Sequence, residues 1–222
     1  MNKLLRSFSA LALLLLLVLS MLSCGEVKIV CDEGEILAAA ENLIGRSVLW
    51  NEIFYIEGMR PLEGGRAPSD SYVEVDPAYL DEIGFSTVAE IKAYGKEIFS
   101  PDMMRSFEDT LFGGMKSDIG AIVSSAACMD YEEPVTGVKL YPVVNPAESP
   151  KRYGETPWGE HIEYIYSTMR VTYNLNYSAT VELEIVGAEE KNLGMRDTLS
   201  VQLKKVEGVW YLDNLTVAKI DR

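Results

Sequence analysis

Ala179-Thr180-Val181-Glu182-Leu183-Glu184-Ile185-Val186 decides the fold class: Val181, Leu183 and Ile185 fall on one face and Thr180, Glu182 and Glu184 on the other. Alternation with period two is the signature of a half-buried strand, because successive side chains leave opposite faces of the pleat. The same rhythm runs through Tyr164 to Asn174, Thr198 to Lys205 and Val209 to Val217. Its apolar sets there are Leu199, Val201 and Leu203, then Trp210, Leu212 and, after a shift, Leu215 and Val217. Glu207-Gly208 between the last two runs is a tight hairpin signal. Four antiparallel strands are therefore predicted, each with one face to bury.

Upstream the period changes. Ile36, Ala40, Leu43, Ser47, Trp50 and Phe54 recur at steps of three or four, and Leu37, Ile44 and Val48 widen the stripe. This predicts an amphipathic helix from Glu35 to about Glu57-Gly58. Gly45 inside it costs about 1 kcal/mol relative to Ala and suggests close packing. A Gly-, Pro- and Arg-rich loop follows to Asp70, then a brief strand at Ser71 to Val75 and a turn-like stretch from Asp76-Pro77 to Phe85. Thr87-Val88-Ala89-Glu90 is a capping box opening a helix to Phe99. Ser100-Pro101-Asp102 opens another, with Ser as N-cap and Pro in the first position, ended by Gly113-Gly114. Helices first and strands last give an α+β class, with N-terminal helices packed on a curved antiparallel sheet.

Residues 113–160 read as an irregular insertion. Ile119 to Ala127 suits a helix or a buried loop, and Val138 to Val144 reads as a strand that Pro142 confines to an edge.

The N-terminus carries an address. Lys3 and Arg6 precede an unbroken apolar run from Ala10 to Leu19, the length of a signal h-region and short of the roughly 20 residues a spanning helix needs. Ser20-Met21-Leu22-Ser23-Cys24-Gly25 then resembles the lipobox of bacterial lipoproteins, with Met21 where Leu is usual and Leu22 where a small residue is usual. That resemblance implies cleavage after residue 23 and acylation of Cys24, with residues 24–34 as an acidic tether and 35–222 as a single domain. Two acyl chains suffice for stable anchoring at the extracytoplasmic face of the cell membrane. Loss of residues 1–23 removes Lys3, Arg6 and no acidic residue, so the net charge of −14 becomes −16. Such a surface repels nucleic acid and anionic headgroups, which leaves the lipid as the membrane contact and excludes nucleic-acid partners.

The arrangement of elements, ending Val206-Glu207-Gly208-Val209-Trp210-Tyr211-Leu212-Asp213, resembles the nuclear-transport-factor-2-like (cystatin-like) cone, whose last hairpin often carries Gly-x-Trp-x-x-Asp. Tyr72 to Val75, Ser86 to Ile91 and Ile98 to Asp102 are similar to secreted lipoproteins related to inhibitors of cell-wall DL-endopeptidases. The resemblance implies a pocket between the first helix and the sheet, beside Trp50. Three functional readings are open, the two alternatives among them resting on the resemblance. The preferred one is a non-catalytic binding protein with a small ligand or a protein partner in the cell envelope; the alternatives are an inhibitor of peptidoglycan hydrolases and a small-pocket enzyme.

Candidate chemistry is sparse. The single histidine, His161, needs a carboxylate partner to act as a general base; Glu160 and Glu163 are its sequence neighbours, and the setting reads as an exposed strand end. Asp102, Asp109, Asp118 and Asp130 match neither a calcium loop nor a glycosidase pair. Cys31 and Cys128 fit no zinc spacing; they are read as unpaired, since Cys31 lies in the tether, although an oxidising compartment permits a disulfide. No catalytic residue, metal set or cofactor is expected. Tyr153 and Trp158, in a Pro/Gly loop, are candidate recognition aromatics with Trp50 and His161. Tyr164, Tyr166, Tyr173 and Tyr177 are read first as cross-strand packing.

Overall fold

A computed structural model describes residues 30–65, 72–112, 115–116, 122–123, 128–131, 141–144 and 159–220. Cys24, Tyr153 and Trp158 lie outside the described residues, as do the signal segment and most of the 113–160 insertion. The chain from Cys31 onward forms one unit.

Helix α1 (Glu33–Asn51) starts at Asp32, whose side chain accepts a hydrogen bond from Glu35 N–H, and continues as a π-helical turn over Glu52–Ile56. Its buried stripe, Ile36, Ala40, Leu43, Ile44, Ser47 and Trp50, is the one the periodicity outlines, whereas Val48 faces solvent. Strand β1 (Val73–Glu74) leads to α2 (Pro77–Ile83), α3 (Val88–Lys96) and α4 (Pro101–Thr110). The capping box of α3 is complete, and Ser100 caps α4 through Met103 N–H. The turn expected over 76–85 is a helix: Asp76 accepts from Ala78 N–H, Pro77 holds the first position, and Gly84 closes it at a φ of 77°. Asp76-Pro77 and Gly84 are thus the same start and stop chemistry that marks α4.

Four short strands follow: β2 (Met115–Lys116), β3 (Ile122–Val123), β4 (Cys128–Tyr131) and β5 (Tyr141–Val144). The expected edge strand, β5, is instead the middle of a three-stranded sheet ordered β1-β5-β4. Its proline is tolerated because β1 pairs only with Val143 and Val144, so Pro142 faces a single partner, Asp130.

The C-terminal half is an antiparallel meander of β6 (Ile162–Leu175), β7 (Ser178–Gly187), β8 (Arg196–Val206) and β9 (Val209–Leu212). The fourth strand ends at Leu212 rather than at Val217; beyond it the chain turns to bury Thr216 instead. Register shifts interrupt the β6–β7 ladder between Ile165 and Arg170 and again before Tyr173, and such bulges bend a strand. Ala179, Val181, Leu183 and Ile185, with Leu199, Val201, Leu203 and Leu212, form the buried face, and α1 packs across it. Burying each large aliphatic side chain contributes about 1.5–3 kcal/mol, so this face is the main source of the domain's cohesion. The α3–α4 linker covers the free side of β9: Ser100 N–H and Leu212 N–H bond to Leu212 O and Ile98 O, both at 2.8 Å.

Trp50 fills the space under α1. Its ring lies 4.6 to 5.2 Å from those of Phe54, Phe107 and Phe99 and 6.0 Å from Phe112. A Cβ on Gly95 would strike the Trp50 indole, so glycine is what lets α3 approach. Gly45 is different: it is exposed, and a Cβ there meets only Tyr166 Oη at an ordinary 3.7 Å. Cys31 is already part of the domain, its N–H and C=O both bonded to the Asn174 side chain, and no disulfide joins it to Cys128.

Candidate functional site

Residues from three parts of the chain meet at the C-terminal end of α1. In an α-helix of 3.6 residues per turn, a residue five positions on lies about 140° beyond a full turn. The wider π-helical turn reduces that offset: Glu57 N–H bonds to Glu52 O at 3.0 Å, as does Gly58 N–H, and Glu57 is brought closer to the side of Glu52. Ile53 to Ile56 are all buried, which holds the turn in place. Single π turns of this kind recur at functional sites.

The second part is the start of β6. Gly159 N–H bonds to Tyr55 O at 3.2 Å and Glu160 N–H to Ala218 O at 3.0 Å, docking this segment on the π turn and the C-terminal stretch. A Cβ on Gly159 would collide with Val217, so only glycine allows this approach. His161 follows directly, with Nε2 3.1 Å from Glu52 Oε1 and 3.8 Å from Glu57 Oε1.

The third part is the β7–β8 loop. Ala188 N–H bonds to His161 O, and His161 N–H bonds to Glu189 Oε1 at 3.1 Å. The same carboxylate faces His161 Nδ1 at 3.4 Å. Lys191 Nζ lies 3.3 Å from Glu189 and 2.6 Å from Glu160. Burial pushes both carboxyls upward, but the Lys191 ammonium and the N–H donors of His161, Asn192 and Ile220 outweigh it, holding both below the ordinary range.

Beside this corner opens a cavity of about 630 Å³, lined by Leu49, Glu52, Glu57, Arg60, Tyr79 and Glu82 among others. Arg60 lies over the Tyr79 ring at 5.1 Å and 3.5 Å from Glu82, so its charge is engaged on the cavity wall. Burial pushes the Tyr79 hydroxyl up to about 12; Arg60 opposes the shift and Glu52, Glu82 and Glu57 add to it, so Tyr79 is a neutral donor at physiological pH. The end of α1 contributes the negative pole of the helix dipole. The cavity thus combines a partly apolar wall with a negative potential.

The four sequence candidates fare differently. Trp50 is fully buried among phenylalanines and presents no face to a ligand; the expected pocket between α1 and the sheet is filled at that point by this aromatic cluster. Tyr153, Trp158 and Cys24 lie outside the described residues. His161 is 41% exposed, yet its partners are Glu52, Glu57 and Glu189 rather than Glu163. It therefore meets the geometric condition for acid–base chemistry, a carboxylate at the ring, although the ring stands outside the cavity lining. Sequence reasoning passed over Glu52, Glu57, Tyr79, Glu82 and Glu189. Only Glu52 and Glu57 carried a signal, flanking the end of the first apolar stripe.

Between α1 and the C-terminal stretch lies a buried polar chain. Asn51 Nδ2 donates to Thr216 Oγ1 at 2.9 Å, Thr216 Oγ1 lies 2.6 Å from Ser47 Oγ, and Ser47 Oγ donates to Ile44 O at 2.8 Å. Tyr164 Oη donates to Thr216 O at 3.1 Å. This chain fixes the roll of α1 on the sheet and with it the direction in which Glu52 points.

No protein-family model matches this sequence, and no curated protein matches it either.

Proposed function

We propose that this chain is an extracytoplasmic binding protein, acylated at Cys24 and held at the cell membrane, that takes a small positively charged ligand in the cavity at the end of α1. The observation that carries the reading is that Glu52, Glu57 and Glu82 line one 630 Å³ cavity with a single guanidinium among the described residues, Arg60, so that after the Arg60–Glu82 pair two carboxylates are left in excess. Carboxylates aimed into a partly apolar, partly enclosed volume select a cation with an organic body. Tyr79 supplies a neutral hydroxyl and an aromatic edge for it. An acidic, lipid-tethered domain suits capture of cationic solutes outside the cell, since its long-range field raises their local concentration.

A binding role is preferred to a catalytic one because the acid–base candidate, His161, lies on the rim and not in the lining. The resemblance to nuclear-transport-factor-2-like cones supports the architecture of this reading only. The test is a thermal-unfolding screen of the full chain against small amines and quaternary ammonium compounds, with neutral and anionic isosteres as controls. Cations raising the midpoint while their isosteres do not is the expected result. Preference for anions, or no cation effect, overturns the reading. Mass spectrometry of the mature N-terminus tests the address separately, a diacylated Cys24 supporting it and an unmodified one removing it.

A further inference from the structure

The side-chain corner at the edge of the cavity supports a different ligand. We infer that His161, Glu52 and Glu57 form a site for a divalent transition-metal ion, of which Zn²⁺ is the best-matched probe. This goes beyond the cation cavity, because the site needs His161, which the cavity does not, and it stands if the organic ligand fails.

One donor atom from each of Glu52, Glu57 and His161 lies within 4.8 Å of the other two. Zinc bonds of about 2.0–2.2 Å in tetrahedral geometry put neighbouring donors roughly 3.3–3.6 Å apart. The imidazole-to-carboxylate distances of 3.1 and 3.8 Å bracket that spacing, and the two carboxylates start no more than 4.8 Å apart. One imidazole with two carboxylates is a borderline set. It suits zinc, iron or manganese better than the all-oxygen shells that magnesium and calcium take.

The surroundings match what a metal-bound imidazole requires. Such a ring presents one nitrogen to the ion and donates the other N–H to a carboxylate, which fixes its tautomer and orientation. Here Nε2 faces the two carboxylates while Nδ1 faces Glu189 Oε1 at 3.4 Å. Glu189 is itself fixed by the backbone N–H of His161 and by Lys191, so it is placed to orient the ring and to remain outside the coordination shell. The π turn supplies the second half of the device, since only the Glu57-to-Glu52 backbone bond sets both carboxylates on the side that His161 approaches. Three protein ligands leave a fourth position open, and Glu52 and Glu57 also line the cavity. A metal there would offer that position to a donor atom of whatever occupies it.

The chain has one histidine, which makes the test direct. The full chain, purified without a histidine tag and stripped with chelator, is titrated with ZnCl₂ while the ¹⁵N signals of the ring are followed. One equivalent is expected to shift Nε2 strongly and leave Nδ1 protonated. By calorimetry, His161→Ala and Glu52→Gln are each expected to weaken binding by roughly a hundredfold or more and Glu189→Gln by roughly tenfold, the low end of the range known for outer-shell partners. Glu82→Gln, on the far cavity wall, is expected to leave zinc affinity unchanged while weakening any organic cation, so the two readings fail separately. Ring signals that ignore zinc, or zinc binding that survives His161→Ala, as adventitious capture at Cys31 would, overturn the site.

Discussion

His161 Nε2 lies 3.1 Å from Glu52 Oε1, and the contact joins the π turn at the end of α1 to the residue just before the meander. Neither residue reaches the other by local geometry. The π turn directs Glu52 and Glu57 outward together, Gly159 lets the incoming chain sit against Tyr55, and Glu189 holds the ring from behind. The corner is a product of long-range packing.

Gly159 is the tightest of these constraints. Gly159→Ala drives a methyl into Val217, and overpacking of this kind costs about 1–3 kcal/mol. Chemical denaturation is expected to show that loss, and the ring signals of His161 should move because the segment next to it has been pushed off Tyr55.

Two helix glycines should respond oppositely to alanine. Gly95→Ala thrusts a methyl into the Trp50 indole and is expected to destabilise by about 1–3 kcal/mol. Gly45→Ala occupies an exposed helical position with room for a Cβ, and is expected to stabilise by about 0.5–1 kcal/mol. Equal effects of the two, measured by urea midpoints, would contradict the packing described around Trp50.

Thr216 joins α1 to the chain beyond β9. Thr216→Val removes the acceptor of Asn51 Nδ2 and the partner of Ser47 Oγ in a buried setting, which costs about 1–3 kcal/mol. Thr216→Ser keeps the hydroxyl and should restore most of the difference. A valine variant as stable as the parent would show that the polar chain does not hold α1.

Acid stability follows from carboxyls depressed in the folded state. Glu160 and Glu189 lie below the ordinary glutamate value of 4.5, because Lys191 and backbone donors outweigh burial; Glu35 and Asp102 are lowered by hydrogen bonds from Lys205 and Lys204. A group with a depressed folded value stabilises above its unfolded value and loses that contribution as pH falls through the folded one. Stability is therefore expected to be level from neutral pH to about 5 and to decline below 4.5. Glu160→Gln should flatten the decline. Lys191, Lys204 and Lys205 are raised above 10.5, so their contribution persists through neutral pH and disappears only in strong base.

Periodicity made the sheet and α1 legible, because each buries one face: the Val181-Leu183-Ile185 set and the Ile36-to-Trp50 stripe are both interior. Helix α2 was missed although Asp76-Pro77 carries the signal seen at Ser100-Pro101, since seven residues are too few to show a period. The edge reading of Pro142 failed because a missing N–H excludes only the partner on one flank, and β1 is too short to reach it. Trp50 has the residue type of a binding aromatic, but whether an indole faces a ligand or a core depends on Phe99, Phe107 and Phe112, all distant in sequence. For the same reason His161 looked like a solvated strand end: its two immediate carboxylate neighbours were visible, and the three that surround its ring were not.

The acidic cavity at the end of α1 is the centre of the proposed function. Its most direct test is a calorimetric titration of the full chain with the best organic cation from the thermal screen, repeated on Glu52→Gln, Glu82→Gln and the remote Lys204→Ala. Each charge-assisted contact is worth about 1.5–3 kcal/mol, so either glutamine is expected to weaken binding by roughly tenfold or more, and Lys204→Ala to leave it within roughly twofold. Unchanged affinity in both glutamine variants would contradict the proposed site.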